Sequence, residues 1–249
     1  MTRCVAAGQT VPAPGDVDRN IARHLAVAEG AARAGARIVV FPEMSLTGYD
    51  PGRAPALAFT PDDVRLSPLR GAAAALGVTL VVGAPVRLGD RLHIGALLVA
   101  PDGEVDLYTK RYLGEGEDRV FAPGALDPLL SLGGRPAAVA VCADANHAAH
   151  PAAAATRGAA TYLVSTFITP EELAPKTEAL RAYAQRHRMA VVFANAGGPS
   201  GGLESGGRSA VWSEAGRVVA QLDGVGPGLV VATEGTDGWR GAAHPIDGG

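Results

Sequence analysis

Residues 35–49 read Gly35-Ala36-Arg37-Ile38-Val39-Val40-Phe41-Pro42-Glu43-Met44-Ser45-Leu46-Thr47-Gly48-Tyr49. The short, partly β-branched apolar run at 37–41 predicts a strand that is buried on both faces. Pro42 ends this strand, and Gly48 supplies a turn a few residues later. Glu43 therefore stands at the edge of a covered sheet, where open α/β sheets bind their ligands. A lone glutamate at such a position is more often a solvated loop carboxylate.

Similar apolar runs recur along the chain and alternate with helical patterns, which indicates the α/β fold class. Buried strands are predicted at 78–82, 95–100, 137–142, 161–165, 190–194 and 228–232, with a hairpin formed by 209–212 and 217–222. Asp16 caps a helix that Gly35 ends. Further helices are predicted within 61–76, 148–157 and 171–188. Residues 197–207 are rich in Gly and Ser, which predicts a mobile loop.

No shift in composition marks a linker, so we expect a single domain over residues 1–249. Within it, the polar tail 234–249 is expected either to be disordered or to dock as an arm in an oligomer.

Composition and charge exclude several classes of protein. Hydrophobic residues make up 47% and charged residues 19% of the 249 positions, which is a globular balance and not that of a disordered chain. A net charge of −3 without a Lys/Arg run predicts no nucleic-acid partner. No apolar run is long enough for a membrane span, and the first residues do not resemble a signal peptide. We therefore expect a cytoplasmic, small-molecule-handling protein whose two cysteines are reduced thiols.

Two further strand ends carry chemically useful groups. Cys142 ends the run 137–142 and a helical pattern follows it, so its thiol can face backbone N–H groups that lower a thiol pKa and stabilise an oxyanion. An inert buried cysteine is an equally good interpretation. Lys110 follows the strand-like segment 104–108 and would alone be a surface lysine. The acids after it, Glu115, Glu117 and Asp118, would alone indicate a solvated turn.

Together these segments resemble the nitrilase superfamily of carbon–nitrogen hydrolases over almost the whole chain, in its aliphatic amidase-like branch. The block at 35–49 resembles the family's general-base block, and Lys110 with Leu113 and 121–124 resembles its lysine block. Cys142 with Asp144 resembles the nucleophile block. Weaker matches are Gln9, Asn20, Arg157-Gly158-Ala159, Asn195, 207–211 and Gly216. Three blocks in the family's order are far more specific than any one alone.

The resemblance implies a four-layer α-β-β-α sandwich that forms a homodimer or a larger homo-oligomer. It implies a Glu43-Lys110-Cys142 triad, a second glutamate at Glu117 with Glu115 as the alternative, and an oxyanion contact from the Ala143 backbone N–H. No metal and no cofactor are implied. The branch implies hydrolysis of a small linear carboxamide with release of ammonia. A nitrilase or an N-carbamoyl amide hydrolase is the runner-up, and a catalytically silent binding subunit is the alternative from another class.

The sequence departs from the family pattern beside the nucleophile. Small Ala143 replaces a common aromatic residue, 146–151 replaces a common Phe-Pro-Glu-like triplet, and Ile94 replaces a common asparagine. Tyr49, Asn146 and His147 are therefore candidate substrate contacts, together with His150. Exposure at the start of a helix is an equally good interpretation of the histidines.

Three other readings remain open. Cys142, His147 and Asp144 could form a cysteine–histidine–acid site, although such groups usually come from distant segments. Cys142, His147 and His150 could bind zinc, but they lack the paired spacing of structural zinc motifs. Residues 197–207 could bind a nucleotide, but they lack a Gly-Lys-Ser/Thr ending.

Overall fold

The computed structural model describes residues 2–246 of the chain. Regular structure in this part consists of strands and α-helices that alternate through much of the sequence. The strands are β1 (Cys4–Gln9), β2 (Ile38–Val40), β3 (Thr79–Leu88), β4 (Arg91–Val99), β5 (Val105–Thr109), β6 (Leu129–Leu132), β7 (Arg135–Val141), β8 (Thr161–Thr166), β9 (Ala190–Asn195), β10 (Ala210–Trp212), β11 (Val218–Gln221), β12 (Gly228–Gly235) and β13 (Gly238–Pro245). The helices are α1 (Val17–Arg33), α2 (Ala54–Leu57), α3 (Ser67–Leu76), α4 (Ala149–Thr156) and α5 (Pro170–His187).

The strands form two sheets. One sheet has the order β13-β12-β1-β2-β3-β4-β5, and the other has the order β11-β10-β9-β8-β7-β6. Each sheet has a parallel centre, β1-β2-β3 in the first and β7-β8-β9 in the second, and antiparallel strands outside it. Because parallel strands end at the same edge, the segments that follow β2, β7 and β8 emerge where ligands are usually bound.

Helices cover the outer face of each sheet, and the inner faces pack together. Helices α1 and α3 pack on the seven-stranded sheet through one apolar cluster, and α4 and α5 pack on the six-stranded sheet through another. A third cluster joins the sheets, with Val5 and Ala7 of β1 among its members while Ala6 faces α1. This alternation follows the two-residue period of a strand. The predicted four-layer α-β-β-α sandwich is confirmed, and the one-domain organisation stays a prediction.

The predicted strands and helices are present, with bounds that differ by a few residues. Strands β6 and β13 and the short helix α2 were not predicted. The hairpin prediction is confirmed by the antiparallel pairing of β10 with β11. Residues 197–207 form a loop in which Ser200 and Ser205 are buried.

The disordered alternative for the polar tail is wrong for residues 234–246, because β13 pairs along the whole of β12. Trp239 packs against the core between the sheets, and its Nε1 donates a 2.8 Å hydrogen bond to Glu214. The buried Arg3 side chain donates hydrogen bonds to Glu214 and to Glu234. Glu214 lies between β10 and β11, and Glu234 belongs to β12, so Arg3 connects both segments to the start of β1. The tail's role as an oligomer arm stays a prediction, and residues 247–249 lie outside the described residues.

Candidate active site

Glu43 lies in the tight turn that follows β2, and its carboxylate is buried. Gly83 on β3 permits this turn to approach, because a Cβ there would lie only 2.2 Å from the Pro42 carbonyl oxygen. Buried His24 supports the turn from α1: its Nδ1 donates to the Asn20 carbonyl (2.6 Å) and its Nε2 accepts from the Ser45 hydroxyl (2.9 Å). Burial lowers the pKa of His24 to about 4, which keeps this ring neutral.

Lys110 follows β5, and its backbone is fixed by hydrogen bonds to Ile94 (2.8 Å) and from Gly124 (2.7 Å). Its Nζ donates to Glu43 Oε1 and to Glu117 Oε1, both at 2.8 Å. The side chains of all three residues are at most 4% exposed. Because an ammonium has three N–H donors, these two bonds leave one donor for a further acceptor.

Glu117, and not Glu115, is the glutamate brought to Lys110. Gly116 has a φ of 77°, and this left-handed residue turns Glu117 inward at the start of a 3₁₀ turn. Besides Lys110, Glu117 accepts hydrogen bonds from the Tyr49 hydroxyl and the Gly114 N–H, both at 2.7 Å. Glu115 is exposed at the outer wall of the same cavity.

Cys142 lies immediately after β7, with a φ of 44° that is uncommon for a residue with a side chain. Such strain at the end of a strand is characteristic of functional positions. The thiol donates to the Phe167 carbonyl at 3.8 Å and lines the same cavity as Glu43. Ala143 follows at the start of a 3₁₀ turn and lines the same cavity. The structure therefore brings Glu43, Lys110, Glu117 and Cys142 together.

The electrostatics of the site favour a neutral thiol beside a charged lysine. Burial raises the pKa of Cys142, and the adjacent Glu43 raises it further. Burial also raises the pKa of Glu43, against the opposing effect of the Lys110 ammonium. For Lys110, burial alone would lower the pKa, but Glu43, Cys142 and Glu117 together raise it above its ordinary value. A thiol proton next to a carboxylate of raised pKa is suited to proton transfer between them.

These groups line a cavity of about 290 Å³. Tyr49 forms part of one wall, where its ring stacks on Phe167 with 5.7 Å between the ring centroids. Its backbone N–H donates to Ser200 of the 197–207 loop at 2.7 Å. Asn146 lies at the mouth and accepts a 2.7 Å hydrogen bond from Lys176 Nζ on α5. Tyr49 and Asn146 therefore both line the cavity that holds Cys142.

The prediction that His147 contacts substrate is wrong. His147 is exposed and stacks on Tyr112 outside the cavity, with 3.9 Å between the ring centroids. His150 is buried behind the cavity and bonds the hydroxyls of Tyr108 and Tyr162, both at 2.8 Å. His147 follows the 3₁₀ turn that begins at Cys142, and His150 lies on α4, which the spacing alone did not indicate.

The other readings of the sequence do not fit this geometry. Asp144 bonds backbone amides and Tyr108, and it does not orient His147. Within residues 2–246, no group of three or more His, Cys, Asp or Glu side chains is arranged to hold a metal ion. The loop 197–207 joins two strands, so it lacks the strand–turn–helix context of a phosphate-binding loop. Helices in the described part of the chain are too short or too polar to cross a bilayer.

Several residues of this site were not predicted from the sequence. Lys176 and Glu172 of α5 line the cavity mouth, and Phe167 accepts the thiol hydrogen bond. Phe167 lies two residues after the predicted strand 161–165 and directly after β8, so its place at the end of that strand was the one available signal.

Comparison with known proteins agrees with this geometry. The sequence profile of the family described as carbon-nitrogen hydrolase matches residues 4–240. A protein named nitrilase from Pyrococcus abyssi is 30% identical over 145 residues, which cover 56% of this chain and 55% of that protein. The chain thus spans about half the length of this curated relative.

Solved structures of an amidase from Nesterenkonia sp. AN1 are also similar. One is a cysteine-to-alanine mutant in complex with butyramide: it is 34% identical, with a TM-score of 0.84, over 92% of this chain and 89% of that chain. Another is a double mutant of the same amidase in complex with acrylamide: it is 33% identical, with a TM-score of 0.85, over 94% of this chain and 91% of that chain. A third carries the acetamide moiety of fluoroacetamide on the active-site cysteine of that amidase.

Proposed function

Because this chain belongs to the carbon–nitrogen hydrolase family, we propose that it is an amidase that hydrolyses small, uncharged linear carboxamides and releases ammonia. The observation that carries the proposal is the buried Lys110 ammonium, bonded at 2.8 Å to both Glu43 and Glu117 in the cavity that also holds Cys142. A nucleophile, a base and a fixed cation in one enclosed cavity are the elements of covalent acyl transfer.

In the first half of the proposed reaction, Glu43 takes the proton of the Cys142 thiol as the sulfur attacks the amide carbon. The electron pair of the carbonyl moves onto oxygen and forms an oxyanion. The remaining N–H donor of Lys110 and the backbone N–H of Ala143 bond this oxyanion. The proton on Glu43 then passes to the amide nitrogen, the carbon–nitrogen bond breaks, and ammonia leaves with a thioester on Cys142.

In the second half, Glu43 takes a proton from water, and the resulting hydroxide equivalent attacks the thioester carbon. The tetrahedral species collapses with loss of the Cys142 sulfur, which regains a proton from Glu43, and a carboxylic acid is released. One carboxylate therefore serves twice as base and twice as acid. Glu117 keeps Lys110 charged and oriented, because it bonds Nζ directly and is itself held by Tyr49 and Gly114.

The charges around the cavity disfavour an acidic substrate. Four acidic and two basic side chains line it: Glu43, Glu115, Glu117 and Glu172, and Lys110 and Lys176. Of the two bases, Lys110 is bonded to carboxylates, and Lys176 is bonded to Asn146 with Glu172 at 3.8 Å. A substrate carboxylate would therefore enter a field that is negative on balance. Arg111 and Arg208, two arginines that could have bound a substrate carboxylate, are not among the lining residues.

The experiment is to measure ammonia release from matched four-carbon compounds, beside Cys142→Ala. Butyramide is the neutral amide, succinamate its acidic counterpart, and 4-aminobutanamide its cationic counterpart. Butyronitrile and N-carbamoyl-β-alanine represent the nitrilase and carbamoyl alternatives. We expect butyramide to be hydrolysed with a kcat/KM at least about tenfold above that of succinamate, and to be untouched by Cys142→Ala.

Other outcomes would replace the proposal. Release from the nitrile or the carbamoyl compound alone would establish the runner-up activity. No release from any compound by folded protein would support a silent binding subunit. We also propose that the chain acts in the cytoplasm as a homodimer or larger homo-oligomer, and light scattering on the purified protein would test its assembly state.

A further inference from the structure

The two reacting sides of the site belong to different sheets. Lys110 follows β5 of the seven-stranded sheet, whereas Cys142 follows β7 of the six-stranded sheet. Glu43 and Glu117 bond Lys110 from its own side of the molecule. The Cys142 thiol donates to the Phe167 carbonyl, which follows β8 of its own sheet. A polar connection between the Lys110 side and the Cys142 side of the site comes from another residue.

Asp144 supplies such a connection next to the site. Its Oδ1 accepts the backbone N–H groups of Arg111 and Tyr112, both at 2.9 Å. Its Oδ2 accepts the backbone N–H of Val141 at 2.9 Å and the hydroxyl of Tyr108 at 2.7 Å. These four donors fill the acceptor sites of a buried carboxylate. One side chain thus joins the residue before Cys142 to the residue after Lys110.

A chain of hydrogen bonds continues from Asp144, and in each bond the donor is the group farther from Asp144. Because the ionised carboxylate can only accept, the Tyr108 hydroxyl donates to it, and the Tyr108 oxygen is left to accept from His150 Nε2–H at 2.8 Å. His150 Nδ1 then accepts from the Tyr162 hydroxyl at 2.8 Å. Tyr108 belongs to β5, while His150 belongs to α4 and Tyr162 to β8. The network Asp144–Tyr108–His150–Tyr162 therefore crosses from one sheet to the other.

The surroundings of His150 keep it in the neutral form that this network requires. Burial lowers the pKa of His150, although Asp144 and the more distant Asp127 oppose that effect and Arg111 and Arg157 reinforce it. The remaining ionisable neighbours are Tyr108, Tyr162 and Tyr112, whose ring meets His150 edge-on. Burial raises the pKa of both Tyr108 and Tyr162, so their hydroxyls keep their protons.

We propose that Tyr108 and His150 are positioning residues for amide hydrolysis: they act through Asp144 to hold the Cys142 turn at a fixed distance from Lys110. Neither residue lines the cavity, so neither contacts substrate. The proposal rests on the proposed function, because hydrolysis is one of its readouts. A displacement of about 1 Å between reacting groups costs up to about 100-fold in rate. Loss of the network should therefore lower kcat by about 10- to 100-fold while KM changes less than about threefold.

The test uses three variants in the network and one control outside it. Tyr108→Phe removes the donor to Asp144 and the acceptor for His150. His150→Leu removes the inner bonds but leaves Tyr108 bonded to Asp144. His150→Gln keeps one donor and one acceptor and should retain most of the wild-type kcat. His244→Leu on β13 makes the same histidine replacement at an exposed position outside the network and should leave kcat unchanged.

Each variant is measured with butyramide for kcat and KM, and with iodoacetamide for the rate of Cys142 alkylation against pH. The second readout needs no substrate, and peptide mapping distinguishes Cys142 from Cys4. The ionisation of Cys142 depends on its distance from Glu43, Lys110 and Glu117, so a displaced thiol changes the pH midpoint of alkylation. Circular dichroism gives the folded fraction under the same conditions.

Lower kcat and a shifted alkylation midpoint in folded Tyr108→Phe and His150→Leu, with recovery in His150→Gln, would support the proposal. A wild-type midpoint in both deletion variants, with activity lost only in proportion to the unfolded fraction, would overturn it. If Tyr108→Phe does not fold, His150→Leu decides by the same two readouts. If wild-type protein releases no ammonia from any amide, the proposed function fails, and the alkylation midpoint still tests the positioning role.

Discussion

Replacing Lys110 by methionine should destabilise the protein in a pH-dependent way. In the native site Nζ lies 2.8 Å from a carboxylate oxygen of both Glu43 and Glu117, and all three side chains are almost fully buried. Removing one partner of such a cluster typically costs about 3–5 kcal/mol, because uncompensated charge stays buried. The two carboxylates left in Lys110→Met would face each other without a cation and share a proton, so their native pKa values rise.

The sign of the pH effect follows from that rise. Consider a carboxyl group whose pKa is higher in the native protein than in the unfolded chain. Its contribution to stability is fully present at pH values below the unfolded-state pKa and is lost as the pH rises through the native-state pKa. A rise of about two units corresponds to about 2.7 kcal/mol. We therefore expect Lys110→Met to cost about 3–5 kcal/mol relative to wild type at pH 8 and about 2–3 kcal/mol less at pH 5.

Urea unfolding at pH 5 and pH 8, followed by the fluorescence of the two tryptophans, measures this difference against wild type at each pH. Lys176→Met is the matched control, because Lys176 lies at the partly exposed cavity mouth and should change stability by less than about 0.5 kcal/mol. The double variant Lys110→Met with Glu117→Gln should recover stability at pH 8. An equal cost at both pH values, or a smaller cost at pH 8, would refute the buried charge cluster.

Three further changes have defined outcomes. Glu117→Gln should lower kcat on butyramide by about 10- to 100-fold, because Lys110 loses one of its two anionic partners; unchanged steady-state kinetics would contradict this. His24→Gln should remove about 3 kcal/mol of the stability that wild type loses between pH 7 and pH 4, since the contribution of the depressed His24 pKa is fully present above the unfolded value and is lost as the pH falls to about 4; equal slopes in urea unfolding would disprove it. Glu172→Gln should raise kcat/KM for succinamate relative to butyramide, and an unchanged ratio would show that charge at the mouth does not select substrates.

The sequence predicts the layers and the catalytic groups because both depend on short local signals. Apolar runs that are buried on both faces mark the central strands, and Glu43, Lys110 and Cys142 each lie at, or two residues beyond, the end of a predicted strand. Strands that end at one edge of the fold bring these residues together without further information. The same logic fails for β13, which is an exposed edge strand with no alternating apolar pattern.

Finer features of the site depend on tertiary contacts that no local pattern records. Whether Glu115 or Glu117 turns inward is decided by the left-handed conformation of Gly116. The hydrogen bonds from Tyr108 to Asp144 and His150 join residues that are 36 and 42 positions apart in the sequence. His147 and His150 looked equivalent as substrate contacts, but one is exposed and the other is buried behind the site.

The central claim is that Cys142 carries a covalent acyl intermediate during amide hydrolysis. The most direct measurement mixes enzyme with excess butyramide, quenches within the first turnover, and follows released ammonia together with the mass of the peptide that contains Cys142. We expect a butyryl adduct on that peptide, which forms as ammonia is released and is absent in Cys142→Ala. Ammonia release by the Cys142→Ala variant at a rate close to that of wild type would show that Cys142 is not the nucleophile.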